Sequence, residues 1–130
     1  MGWDGLNRRK FPRIVSPCLV RIASKEEVQD TYLTHTENIG VGGICVIVKR
    51  EIKMFSPVEL EIDLLEDGDN ITAKGKVVWN VRRKGIEAHK PMFYDIGIEF
   101  ESLKEKDSKR LQMAIDTFIK KGYKVLKPVY

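Results

Sequence analysis

Hydrophobic and polar residues alternate over long stretches of this chain, the pattern of strands with one buried face. Val58, Leu60, Ile62 and Leu64 alternate with Glu59, Glu61 and Asp63, so this stretch predicts a half-buried strand. The polar run Glu66-Asp67-Gly68-Asp69-Asn70 predicts a turn. Ile71, Ala73, Gly75, Val77, Trp79 and Val81 then alternate with mostly polar neighbours, and Tyr94, Ile96, Ile98 and Phe100 alternate with Asp95, Gly97 and Glu99. Three earlier stretches are less regular. Residues 14–22 place Cys18, Val20 and Ile22 on one side, residues 31–39 are rich in threonine, and residues 43–48 form a short apolar run suited to burial on both faces. About six strands separated by turns predict an all-β fold, a six-stranded antiparallel barrel closed or nearly so. Trp79 falls on an apolar strand face and is expected in the core. The period then changes. Ser102-Leu103-Lys104-Glu105 has the form of a capping box, Leu111, Ala114, Ile115, Phe118 and Ile119 share one helical face, and Gly122 suits an exit. That stripe predicts a C-terminal helix packed on the barrel.

Composition places the chain among ordinary globular domains. Its 130 residues suit one domain, and the fractions of 42% hydrophobic and 32% charged residues do not predict disorder. Cys18 and Cys45 each lie in apolar surroundings and are expected as buried core thiols rather than a disulfide or metal site. His35 and His89 have no partner at metal-ligand spacing, so neither a metal nor a cofactor is expected. Asp63, Asp95 and Glu99 lie on polar strand faces without a paired nucleophile or base, so no enzyme is expected. The start lacks the basic-then-apolar pattern of a signal peptide, and the apolar run Ile44 to Val48 is too short to span a bilayer. A cytoplasmic protein without membrane insertion is the expectation.

The formal charge of +4 is small, and its distribution says more than its size. Arg8, Arg9, Lys10 and Arg13 crowd near the start, and Arg82, Arg83 and Lys84 form a second knot. Pro12 steers Phe11 away from helix. In an extended chain Arg9 and Arg13 then point the same way, at most about 13 Å apart. Two guanidinium groups so placed suit a flat dianion of nucleotide size, since arginine chelates phosphate or the guanine O6/N7 edge and stacks on purines. Read alone, the run is equally a solvated basic tail. The second stretch is Glu37-Asn38-Ile39-Gly40-Val41-Gly42-Gly43. Asn38 offers a donor and an acceptor to a base edge, and the glycines permit close backbone approach. Read alone, it is a glycine-rich hairpin turn. A nucleic-acid interface has the basic arm in its favour but lacks the exposed aromatics that stack bases, so no nucleic acid is expected.

Together the two stretches resemble the PilZ family of cyclic di-GMP receptors. Arg9-Lys10-Phe11-Pro12-Arg13 matches the family's RxxxR motif before the first strand. Asn38-Ile39-Gly40-Val41-Gly42-Gly43 matches its [D/N]xSxxG motif at Asn38 and Gly43, with Gly40 in place of serine. Gly75-Lys76-Val77-Val78-Trp79 and Gly97-Ile98-Glu99-Phe100 also look like family strands. The resemblance implies a flexible basic arm at residues 1–13 and a PilZ-like barrel with its closing helix at residues 14–130. It implies cyclic di-GMP bound on the barrel's outside by Arg8, Arg9, Arg13, Asn38, Gly40 and Gly43. Arg8 is associated in similar proteins with two stacked messenger molecules rather than one. The signal would pass to an effector protein through a change in the arm. The alternative is a PilZ-like protein–protein adaptor that does not bind the nucleotide. The missing serine hydroxyl at position 40 would weaken binding by about threefold to tenfold.

Overall fold

The computed structural model describes residues 13–15, 18–24, 31–64, 68–83 and 93–126. Among these, eight strands and one helix follow in the order β1 (Arg13–Ile14), β2 (Leu19–Ser24), β3 (Thr31–Ile39), β4 (Gly43–Val48), β5 (Pro57–Asp63), β6 (Ile71–Arg83), β7 (Phe93–Leu103), α1 (Glu105–Lys120) and β8 (Val125–Leu126). The sheet runs β2-β5-β6-β7-β4-β3 and closes on itself through β2–β3, so six antiparallel strands form a complete barrel. Closure leaves these strands without a free edge for most of their length. The short strands β1 and β8 continue outward from β3, with Ile14 opposite Ile39 and Arg13 opposite Leu126.

Alternation determines what fills the barrel. Val20, Ile22, Val58, Leu60, Ile62, Ile71, Val77, Ile96 and Ile98 are buried in one cluster with Ile39, Ile44 and Val46. Directly opposed residues share a face, and Val20↔Ile62, Leu60↔Ala73 and Val77↔Ile98 are such inward pairs. Each large aliphatic side chain so enclosed contributes about 1.5–3 kcal/mol. Helix α1 joins the same cluster through Leu111, Ala114, Ile115 and Phe118.

The helix ends as expected and begins elsewhere. Gly122 has φ of 92°, the Gly122 N–H donates to the Ile119 carbonyl at 3.0 Å, and the Tyr123 N–H donates to the Phe118 carbonyl at 3.1 Å. Those two bonds make a Schellman exit, completed by the edge contact of the Phe118 and Tyr123 rings. At the start, Ser102 does not cap. It belongs to β7, opposite Lys74 on β6, and the helix opens at Glu105 after an extended Lys104 that makes no side-chain cap. Glu105 and Asp107 in the first turn complement the helix dipole instead.

Candidate functional site on the bulged outer wall

Strict alternation along β3 would put Thr36 and Asn38 on the same face. The β3–β4 ladder shifts register between them, leaving Glu37 as a bulge, so Thr36 opposes Val46 while Asn38 opposes Cys45. Thr36 therefore turns inward, where its Oγ1 accepts the Cys18 N–H at 3.0 Å. Asn38 turns outward. A bulge re-aims the side chains that follow it, and β6 does the same at Val78: Val77 opposes Ile98 inside, and Trp79 opposes Gly97 outside. Trp79 is thus not the core residue that alternation implied. Its half-buried indole lies against Gly97, where there is no room for a Cβ.

The two bulges fall at one level of the barrel. Asn38 of β3, Cys45 of β4, Gly97 of β7 and Trp79 of β6 form a row across four neighbouring strands, spanning about 14 Å at the usual strand spacing. Cys18 joins the core cluster as expected, whereas Cys45, also buried, stands in this outer row.

Arg13 completes the row at its β3 end. Ile14 pairs with Ile39 and enters the core, so Arg13 faces outward, and its Nη1 donates to Asn38 Oδ1 at 3.2 Å. Asn38 is only 8% exposed, and this bond fixes which way its amide points. The Val15 N–H donates to the Lys124 carbonyl at 2.8 Å, so β8 holds the chain just beyond Arg13 from the other side. The turn after Asn38 is compact. The Gly40 N–H donates to the Gly43 carbonyl at 3.0 Å, and the Gly42 carbonyl accepts the Phe100 N–H at 2.9 Å. Gly43 is required by packing, because a Cβ there would run into the Ile98 carbonyl of β7. Gly40 is buried and is not among the described residues with positive φ.

Of the residues singled out by sequence, Arg13 and Asn38 are bonded to each other, and Gly40 and Gly43 close one turn. Arg8 and Arg9 lie outside the described residues. Trp79 and Cys45 were missed, and the only hint was the doublet Val77-Val78, which interrupts alternation just before the tryptophan. Asp95 lies on the outer face with Gly97, as its place in the alternation implied, but it is buried there. It is 5% exposed, its Oδ2 accepts Arg83 Nε, and its buried Oδ1 has no partner. Among the described residues no group of His, Cys, Asp and Glu could hold a metal ion, and no helix is long and apolar enough to cross a membrane.

A family profile described as the PilZ domain matches residues 7–116, most of the chain and both motif-bearing stretches. The chain belongs to the PilZ family. Solved PilZ structures share its fold. The PilZ domain of YcgR from Escherichia coli, solved with c-di-GMP, has a TM-score of 0.68 at 14% identity, covering 88% of this chain and 93% of that one. MrkH of K. pneumoniae in its c-di-GMP complex has a TM-score of 0.71 at 20% identity, covering 88% of this chain and 53% of that one. The Bacillus subtilis inhibitor of motility MotI has a TM-score of 0.69 at 21% identity, covering 88% and 52%. This chain thus spans about half the length of MotI and MrkH. The comparison with curated proteins finds no match.

Proposed function

We propose that this PilZ domain is a non-enzymatic cyclic di-GMP receptor whose site is the outer row from Arg13 to Trp79, closed by the arm. The observation that carries the reading is the 3.2 Å bond between Arg13 and Asn38. It joins the two motifs that sequence separates by 25 residues and sets a cation beside an amide on a face that two bulges have turned outward. The relatives solved with c-di-GMP, YcgR and MrkH, support the choice of ligand. In this reading Arg9 and Arg13 chelate phosphate and the guanine edge, and Asn38 with the Gly40–Gly43 turn meets a base. Arg8 stacks on a guanine and favours two messengers per chain.

Residues 1–13 act as an arm that changes conformation over the barrel of residues 14–130. Cytoplasmic messenger is thereby reported to an effector protein. The β1–β8 pairing gives that change a route, since the arm's root at Arg13 is hydrogen-bonded to the strand that follows α1.

Calorimetric titration with cyclic di-GMP tests the assignment. Arg9→Ala and Arg13→Ala each remove charge-assisted bonds worth about 1.5–3 kcal/mol, so each weakens binding at least about tenfold. Arg8→Ala lowers the stoichiometry from two toward one. Wild-type affinity in either of the first two variants would show that the site lies elsewhere.

A further inference from the structure

The connection between β4 and β5 carries a conformation that its sequence does not favour. Phe55 has φ of 66°, the only positive value at a non-glycine residue among those described. A bulky residue in the left-handed region is strained and persists only where its surroundings enforce it. Here they do. The Phe55 N–H donates to the Val77 carbonyl at 2.7 Å, and the Val77 N–H donates to the Ser56 carbonyl at 3.1 Å. Ser56, itself buried, donates through Oγ to the Lys53 carbonyl at 2.6 Å, and Asn80 Nδ2 donates to the Ile52 carbonyl at 2.9 Å. Ile52 is anchored in the core.

All this scaffolding holds an aromatic ring in water. Phe55 is 64% exposed and its neighbour Met54 is 43% exposed. A strained turn that served only to link two strands would gain from glycine at this position. The polar surroundings are mainly cationic: Lys49, Arg50 and Lys53 are exposed in the same connection, against the single carboxylate of Glu51. Arg82 adds a further cation at this end of the barrel, since it opposes Tyr94, which in turn opposes Val48, the residue before Lys49.

We infer that the Met54–Phe55 tip is a docking finger for an anionic phospholipid surface. Two consecutive exposed apolar side chains on a turn need no complementary pocket in a bilayer, and Lys49 and Lys53, which precede them in the connection, meet the headgroup phosphates. Such contact is peripheral and requires no spanning segment. It uses the end of the barrel reached by the bulged strand β6, two residues from Trp79, so the finger and the candidate messenger site lie close along one strand.

Co-sedimentation of the full chain with vesicles tests this. The protein binds vesicles of phosphatidylglycerol and phosphatidylcholine at low salt and leaves vesicles of phosphatidylcholine alone. Phe55→Gly relieves the φ strain while removing the ring, so the fold is retained and vesicle partitioning falls by about tenfold. A Lys49→Glu/Lys53→Glu variant loses binding as well. Phe55→Trp keeps it, and brominated lipid quenches the added fluorescence. Absence of binding to the anionic vesicles overturns the inference. So does binding that Phe55→Gly leaves unchanged, because the basic arm alone would then account for it. An acidic protein partner takes the place of the bilayer if vesicles do not bind while Phe55→Gly abolishes signalling output with messenger affinity intact.

Discussion

The barrel has two unlike walls. From β2 through β5 to β6 the ladders run without a break: Leu19 to Ser24 oppose Asp63 to Val58, and Pro57 to Ile62 oppose Lys76 to Ile71, residue for residue. Aliphatic side chains point in, and Arg21, Glu59, Glu61 and Thr72 point out. From β3 through β4 and β7 to β6 the register slips at Glu37, at Val78 and at Glu101. There the outward row is Asn38, Cys45, Gly97 and Trp79, with Arg13 laid on its end. The regular wall spends its alternation on the core. The bulged wall gives up regular pairing at three points, and two of them turn an amide and an indole outward at one level. A sheet that kept perfect alternation would have pointed both into the core.

The largest expected effect belongs to the regular wall and concerns stability alone. Ile22, fully buried between Leu60 and Tyr32, leaves a cavity when shortened, so Ile22→Ala destabilises the domain by about 2–5 kcal/mol. Denaturant unfolding measures that loss, and titration of the remaining folded protein shows unchanged messenger affinity. A large fall in affinity there would dissolve the distinction between the walls.

This division also explains what the sequence disclosed. Period-two alternation reads directly as strand and face, and β5, β6 and β7 were legible because it holds over most of their length. A bulge adds one residue and reverses the faces beyond it, and nothing in a single residue type announces it. Trp79 therefore read as core, and the orientation of Asn38 could not be assigned from spacing. Ser102 has the chemistry of a cap but was claimed by the β7 ladder, because Ala73 and Leu103 continue to pair. β8 is only two residues long and has no period to detect. The candidate ligands Arg13, Asn38 and Gly40 were legible from motif chemistry and the family resemblance, whereas the contact between the first two depends on pairing of β1 with β3. The finger at Phe55 gave no sequence signal, since positive φ at phenylalanine is a consequence of the hydrogen bonds around it.

The next effect is on binding. Asn38→Ala removes the acceptor for Arg13 and the amide offered to a base, and it weakens messenger binding by about threefold to thirtyfold at 0.5–2 kcal/mol. The matching change on the regular wall, Arg21→Ala, breaks an exposed ion pair to Glu61 at 3.5 Å and leaves calorimetric affinity where it was. Equal losses in the two variants would mean that general electrostatic attraction, not the built row, holds the ligand.

The smallest effect is expected at Gly40. Its backbone lies outside the positive-φ region, so a side chain is sterically admissible there as far as the backbone is concerned. Gly40→Ser restores the family hydroxyl and leaves affinity unchanged or raises it severalfold. A correctly folded Gly40→Ser protein that binds clearly less well would separate the turn from the ligand.

The most direct measurement is a two-dimensional amide NMR titration of the full chain with cyclic di-GMP. The account predicts that the backbone resonances of Arg13, Asn38, Gly40, Cys45 and Gly97 and the indole resonance of Trp79 shift together and saturate together. Arg21, Glu59, Glu61 and Thr72 on the regular wall stay in place. Saturable shifts centred on the regular wall, with Arg13 and Asn38 unmoved, would contradict it.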